Sequence, residues 1–156
     1  PDQGPGLPHV RAGQEDQEEE GQDAPLEGES NGVVVVDGSM AGIGVVSQPI
    51  RIVVKDGQAA DISGGPEAAQ LVALLEPHGR DGRNVAEFGI GTNDKARITG
   101  VILDDEKVMG TIHIAFGDNK SMGGTVRVAS HLDGLVKRPT VWFDDRLVME
   151  DGRLLV

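Results

Sequence analysis

Runs of apolar, mostly β-branched residues predict that this chain is rich in β-strands. VVVVDG and QPIRIVVKDGQAADISGG both have the composition of strands, and the dipeptide Asp56-Gly57 divides the second run in two. Asp-Gly between strand-like segments is typical of a tight hairpin, because both turn positions require a positive φ. The C-terminal PTVWFDDRLVMEDGRLLV predicts three further short strands, joined at residues 144–145 and 151–152.

The segment PEAAQLVALLEP, residues 66–77, predicts the clearest helix. Pro66 suits the first helical position, and Pro77 is expected to end the helix. The inward stripe is expected to consist of Ala69, Val72, Ala73 and Leu75.

Residues 104–117, DDEKVMGTIHIAFG, fit two patterns. In a strand, His113 would share a face with Thr111 and Ala115, opposite three bulky apolar residues. In a helix, apolar and polar residues would separate at spacings of three and four. The acidic start and the final glycine favour a helix over about 105–116.

The predicted fold class is α+β, with a mixed or antiparallel β-rich sheet, the helix at about 66–77 and a second at about 105–116. Residues 1–23 are rich in Pro, Gly, Gln and Glu and are predicted to be a disordered acidic tail. Residues 24–156 are predicted to form one domain.

Composition and charge narrow the range of functions. The net charge of −12 disfavours nucleic acid as a partner, because that binding needs clustered basic residues. The chain has no Cys and no Tyr, so any metal must bind to His, Asp or Glu. Without a membrane span or a signal peptide in the sequence, we expect a soluble cytoplasmic protein. A homodimer remains open.

Two histidines and two carboxylates stand inside apolar segments. Glu87 lies in VAEFGIG and His113 in TIHIAFG, while His131 and Asp133 alternate in TVRVASHLD and so project from the same side of a strand. A buried carboxylate needs a partner, and imidazole with carboxylate suits zinc, cobalt, manganese or ferrous iron. The pattern alone leaves open whether these are metal ligands or core histidines.

Four motifs resemble the C-terminal, metal-binding half of the thermophilic metalloaminopeptidase family, which includes aminopeptidases T and S and is leucyl aminopeptidase-like. The motifs are NGVVVVDGSMAG, NVAEFGIGTNDKAR, DDEKVMGTIHIAFGDN and SHLDGLVKRPTVWFDD, and the similarity covers roughly residues 24–152. The resemblance implies a hydrolase that removes N-terminal residues from peptides with water activated by two divalent ions, zinc, cobalt or manganese. On this resemblance, we expect residues 1–156 to have no counterpart of the family's N-terminal domain.

The resemblance also assigns residues to the expected site. The family's ligands fall on Glu87, His113, His131 and Asp133, and counting back from Ala24-Pro25 places a further Glu ligand at Glu20. Lys120 stands where the family has a Tyr, and as a charged group it could donate to an oxyanion. Glu106, in the DDEK segment, is a candidate general base or a neighbour of the ligands.

Two other functions stay open at this stage. Glu87, His131 and Asp133 could bind a single Fe(II) ion, as in a ring-cleaving dihydroxypyridine dioxygenase of the same fold, which acts on a small molecule. The domain could also be a non-enzymatic remnant of the family, in which the polar residues are structural.

Overall fold

The computed structural model describes residues 20–155, with side chains from residue 22 onward. Most of the ordered elements in this range are β-strands. They are β1 (Glu20–Asp23), β2 (Gly32–Val36), β3 (Ser39–Met40), β4 (Gly44–Val45), β5 (Ile50–Lys55), β6 (Gln58–Ser63), β7 (Val85–Gly91), β8 (Thr111–Gly117), β9 (His131–Lys137), β10 (Val141–Phe143), β11 (Arg146–Glu150) and β12 (Arg153–Leu154). The predicted β-rich α+β class is confirmed.

The helical elements lie between strands. They are α1 (Pro66–Leu75), the 3-10 turn Glu76–His78, α2 (Gly79–Gly82), α3 (Ile102–Asp105) and a second 3-10 turn, Lys120–Met122. Within the described range, no helix is long and apolar enough to cross a membrane.

The strands of residues 20–155 form three antiparallel sheets. The central sheet has six strands in the order β1-β7-β8-β9-β3-β4, and two three-stranded sheets have the orders β2-β5-β6 and β10-β11-β12. Phe116 and Leu132 on one face of the central sheet pack into a core shared with β2, β5 and α1. Phe88 on the same face packs against Val148 and Met149 of the C-terminal sheet. This face therefore builds much of the core, and the opposite face carries buried polar side chains beside the apolar Ala115 and Leu135.

The hairpin predicted at residues 56–57 is confirmed. Asp56 and Gly57 connect β5 to β6 with φ values of 48° and 70°. The three predicted C-terminal strands also form, as β10, β11 and β12, and they turn at Asp144 and Asp151 with φ values of 51° and 50°. Short-range turn chemistry determines these connections.

The predicted helix at 66–77 is confirmed, with Pro66 at its start. It ends at Leu75, and the 3-10 turn that follows contains Pro77. The predicted stripe is wrong except for Leu75, since the buried residues are Ala68, Leu71 and Leu75. The buried stripe keeps spacings of three and four but begins at Ala68, one residue before the predicted stripe, so the helix is rotated about its axis.

The second helix, expected at about 105–116, is not formed. A single turn, α3, uses the acidic residues, and the chain then forms β8 from Thr111 to Gly117. Strand pairing on both sides, with β7 and β9, overrides the local helix signals. The strand alternative gave the correct faces, since Thr111, His113 and Ala115 are buried on the side opposite Ile112 and Ile114.

The predicted acidic tail falls mostly outside the described residues, which begin at Glu20. Residues 20–23 form β1, and their backbone pairs with β7 from Glu20 opposite Gly91 to Asp23 opposite Phe88. This pairing joins residues 20–23 to the central sheet, and the division into a tail at 1–23 and a domain at 24–156 stays a prediction.

Candidate metal centre

Strand register brings four of the predicted site residues together on one face of the central sheet. Glu87 of β7 and Asp133 of β9 lie opposite Ala115 of β8, one on each side. His113 occupies the row before Ala115, and His131 the row after it, opposite Gly117. Because residues two apart in a strand share a face, all four side chains converge above Ala115. We call Glu87, His113, His131 and Asp133 the four-residue cluster.

Small residues make room for this convergence. Ala115 is completely buried and separates the Cα positions of Glu87 and Asp133 within the sheet. Gly89 lies opposite His113, and a Cβ atom at this position would overlap the Cε1 and Nε2 atoms of the imidazole. The ring of His113 therefore lies across Gly89.

Glu87 is the centre of the four-residue cluster. Its Oε1 lies 3.0 Å from Nε2 of His113, and its Oε2 lies 3.1 Å from Nε2 of His131. His131 Nε2 also lies 3.6 Å from Oδ1 of Asp133. One ligand atom each from Glu87, His113 and Asp133 lie within 4.8 Å of one another, and all three residues are buried. Such a group can hold a metal ion.

His131 lies at the rim of the site. Its side chain is 32% exposed, whereas that of His113 is fully buried. Nδ1 of His131 is 2.7 Å from the backbone carbonyl of Asp118, to which its N–H donates. This bond turns Nε2 toward Glu87 and Asp133.

The two carboxylates and His131 form a charged network. The nearby carboxylates of Asp133 and Glu87 raise the pKa of His131 to about 11, against the opposing effect of burial. Burial acts to raise the pKa of Glu87, but hydrogen bonds with His113 and His131 together lower it to about 2. The cluster therefore compensates its buried carboxylate with an imidazolium.

Glu106 lies beside the four-residue cluster. It follows α3, is 7% exposed, and its Oε1 is 3.2 Å from Nζ of Lys107. Burial raises the pKa of Glu106, the Lys107 hydrogen bond opposes this, and the charge of Asp133 raises it further. Its predicted role, as a general base or as a neighbour of the ligands, stays a prediction.

The other two predicted residues are placed differently. Lys120 begins an exposed 3-10 turn, where its backbone N–H donates to Oδ1 of Asp118 at 3.1 Å. None of the described contacts of Lys120 reaches the four-residue cluster. For Glu20 the structure describes the backbone, which pairs with Gly91, so its role as a ligand stays a prediction.

Sequence reasoning missed the residues that shape the site without binding to it. Gly89 and Ala115 give the site its space, and the carbonyl of Asp118 orients His131. The small residues beside the acidic and histidine positions in VAEFGIG and TIHIAFG were a usable signal. The backbone carbonyl carries no sequence signal.

An apolar cavity of about 350 Å³ lies mainly on the other face of the central sheet. Phe88, Ile112 and Ile114 line it together with the exposed Trp142 and Phe143, and Glu87 also borders it. This apolar cavity therefore lies mainly apart from the convergence of ligands above Ala115, with Glu87 between the two.

Comparisons with known proteins identify a family. Residues 21–156 match the family described as NicX, 2,5-dihydroxypyridine 5,6-dioxygenase. A 2,5-dihydroxypyridine dioxygenase structure from Pseudomonas putida has a TM-score of 0.78 and 21% identity, over 85% of this chain and 42% of that one. Wild-type AmpT from Thermus thermophilus has a TM-score of 0.71 and 22% identity, over 88% of this chain and 40% of that one. No curated protein sequence matches the chain significantly.

These findings correct the predicted activity. The expected aminopeptidase, a hydrolase or protease, is wrong, because the family that matches is a ring-cleaving dioxygenase. At 22% identity, the likeness to AmpT is one of fold alone. A metal site of Glu, His and Asp is supported, whereas a pair of zinc, cobalt or manganese ions is not. The chain spans about two fifths of the length of each of these two structures.

Proposed function

Since the chain belongs to the NicX family, 2,5-dihydroxypyridine 5,6-dioxygenase, we propose that it is the metal-binding domain of a ring-cleaving dioxygenase. Its substrate is a small dihydroxylated nitrogen heterocycle of the 2,5-dihydroxypyridine type, and its metal is one Fe(II) ion. The observation that carries the proposal is the family match over residues 21–156 together with the buried group Glu87, His113 and Asp133.

The residues present fit Fe(II). Non-haem oxygenases hold this ion with a small set of imidazole and carboxylate ligands and leave positions open. Glu87 and Asp133 supply two carboxylates, and either His113 or His131 completes a set of three. When bound, the ion supplies the chemistry by which dioxygen reacts with the ring. The cluster has no thiolate, in agreement with a hard-ligand iron site.

Side chains of the protein exclude water, admit the substrate and accept a proton. The full burial of His113 and the near burial of Glu87 exclude water from the inner side of the site. His131, at the exposed rim, marks the side from which substrate enters. In this proposal Glu106, which is buried and has a raised pKa, accepts a proton from a ring hydroxyl.

The proposal is tested with the chain loaded anaerobically with Fe(II) and then mixed with 2,5-dihydroxypyridine and oxygen. We expect oxygen consumption in an electrode to match the loss of substrate absorbance one for one. Asp133→Asn should abolish oxygen consumption and substrate loss. Glu29→Ala, which also removes one negative charge but at an exposed position, should leave both rates unchanged. If iron binds in place and substrate is not consumed, the dioxygenase proposal is wrong for this chain.

The expected cytoplasmic location, the lack of nucleic-acid partners and the homodimer stay predictions. Light scattering after size-exclusion chromatography measures the mass of the assembly directly. A mass of about 33 kDa, twice the 16.4 kDa of the chain, would establish the dimer.

A further inference from the structure

The orientation of His131 depends on one backbone carbonyl. Its Nδ1–H donates to the oxygen of Asp118 at 2.7 Å, which leaves Nε2 directed at Glu87 and Asp133. A metal-binding imidazole is commonly oriented by a bond of this kind. Any movement of the backbone at Asp118 would therefore displace Nε2 of His131.

Asp118 begins the loop that connects β8 to β9, residues 118–130. The side chain of Asn119, which is completely buried, organises this loop. Its Oδ1 accepts a hydrogen bond from Val126 N at 3.0 Å, and its backbone carbonyl accepts one from Gly124 N, also at 3.0 Å. A Cβ atom on Gly124 would overlap the Asn119 amide, so the loop closes tightly around it.

Glu27, which lies between β1 and β2, holds this loop in place through hydrogen bonds. Its Oε1 accepts hydrogen bonds from Nδ2 of Asn119 at 2.9 Å and from Thr125 N at 2.5 Å, and its Oε2 accepts one from Oγ1 of Thr125 at 2.5 Å. These bonds, those from Thr125 foremost, lower the pKa of Glu27 to about 2, so the carboxylate is charged at neutral pH. Asn119 is 92 residues away in sequence, and charge-assisted bonds of this type are among the stronger ones.

We propose that Glu27 is a positioning residue for His131. It holds Asn119 and Thr125, these hold the loop at residues 118–126, and the loop presents the carbonyl of Asp118 that orients the imidazole. The effect on metal affinity rests on the proposed function, whereas the effect on the His131 hydrogen bond does not. Glu27 touches none of the four cluster residues in the described contacts and acts only through this loop.

The test compares Glu27→Ala with Glu29→Ala, which removes the same charge from an exposed position in the same connection. In the metal-free protein, proton NMR measures the exchange of the His131 Nδ1–H with water, and the signal is assigned by its loss in His131→Ala. We expect exchange to be at least about tenfold faster in Glu27→Ala and unchanged in Glu29→Ala. Anaerobic Fe(II) titration should then show affinity about tenfold weaker in Glu27→Ala alone.

Two milder variants keep the test valid if Glu27→Ala does not fold. Glu27→Gln keeps an oxygen acceptor and should partly restore both measurements, and Thr125→Val removes only the hydroxyl donor and should give a smaller change of the same sign. If Glu27→Ala and Thr125→Val both exchange at the Glu29→Ala rate, the positioning role is overturned. A wild-type protein that binds no Fe(II) would overturn the proposed function instead, and the exchange rates would still decide the role of Glu27.

Discussion

Gly89 lies directly beneath the imidazole of His113, opposite it in the ladder between β7 and β8. A Cβ atom at residue 89 would overlap Cε1 and Nε2 of the ring. The ring in turn places Nε2 3.0 Å from Oε1 of Glu87. The position of a metal-ligating nitrogen thus depends on the absence of a side chain on the neighbouring strand.

Gly89→Ala should therefore displace His113 and weaken Fe(II) binding by about tenfold or more, although it changes no ligand. Strand propensity favours Ala over Gly, so a change in β-propensity alone would act in the opposite direction. Anaerobic Fe(II) titration measures the affinity, and thermal unfolding measures the accompanying loss of stability.

A double-mutant cycle separates this contact from general damage. In the His113→Ala background the ring is gone, and Gly89→Ala should then cost little melting temperature. An equally large loss in both backgrounds would show that the added methyl group clashes with something other than His113.

Local patterns in the sequence predicted which residues face the site, but not the long-range strand pairing that places them there. Alternation in TVRVASHLD correctly placed His131 and Asp133 on the same side, and VAEFGIG correctly marked Glu87 as a buried carboxylate. For His113, the helix signals before it were stronger than the strand signals, because pairing with β7 and β9 is a long-range effect. The same limit applies to Glu27, whose partner Asn119 no local pattern could reveal.

The resemblance of the motifs gave the correct fold and the wrong chemistry. The fold of this chain is similar to those of both AmpT and a dihydroxypyridine dioxygenase. Ligand types suited to several metals do not determine which reaction follows. The family match was needed to choose between a hydrolase and a dioxygenase.

The metal-free protein should be most stable between about pH 4.5 and 6.5. The raised pKa of His131, about 11 against an ordinary 6.5, contributes stability that is complete below pH 6.5 and is lost as the pH rises toward 11. The lowered pKa of Glu87, about 2 against 4.5, contributes stability that is complete above pH 4.5 and is lost as the pH falls toward 2. Melting temperatures in the presence of a chelator measure this profile.

The matched variant for this profile is His131→Ala. This variant should remove most of the decline in melting temperature above pH 6.5. The changes that remain at the lowest and highest pH would come from other titrating groups. An unchanged slope in this variant would show that His131 is not the titrating group.

Fe(II) binding should release about one proton if His131 is a ligand. At pH 7.5 the imidazole is charged, since its pKa is about 11, and it must lose a proton before Nε2 can bind a metal. Affinity should then rise about tenfold per pH unit between pH 6.5 and 8.5. Anaerobic calorimetry in two buffers of different ionisation enthalpy measures the proton count. No release would assign the iron to Glu87, His113 and Asp133 alone.

Glu106→Gln should separate metal binding from turnover. The change keeps the size of the side chain and removes the proton acceptor, so we expect Fe(II) affinity within about twofold of wild type and a kcat about 100-fold lower. Lys120→Ala, at the exposed 3-10 turn, should change neither quantity. A normal kcat in Glu106→Gln would exclude the base role, and a reduced kcat in Lys120→Ala would restore the predicted role of that residue.

The most direct test of the central claim is the iron stoichiometry of the purified chain. Protein incubated anaerobically with excess Fe(II) is desalted and analysed for metal and protein, alongside Glu87→Gln and Asp133→Asn. The account predicts one iron per chain in the wild type and less than about one tenth in both variants. Two ions per chain, no iron in the wild type, or full iron in the variants would contradict a single ferrous site at the four-residue cluster.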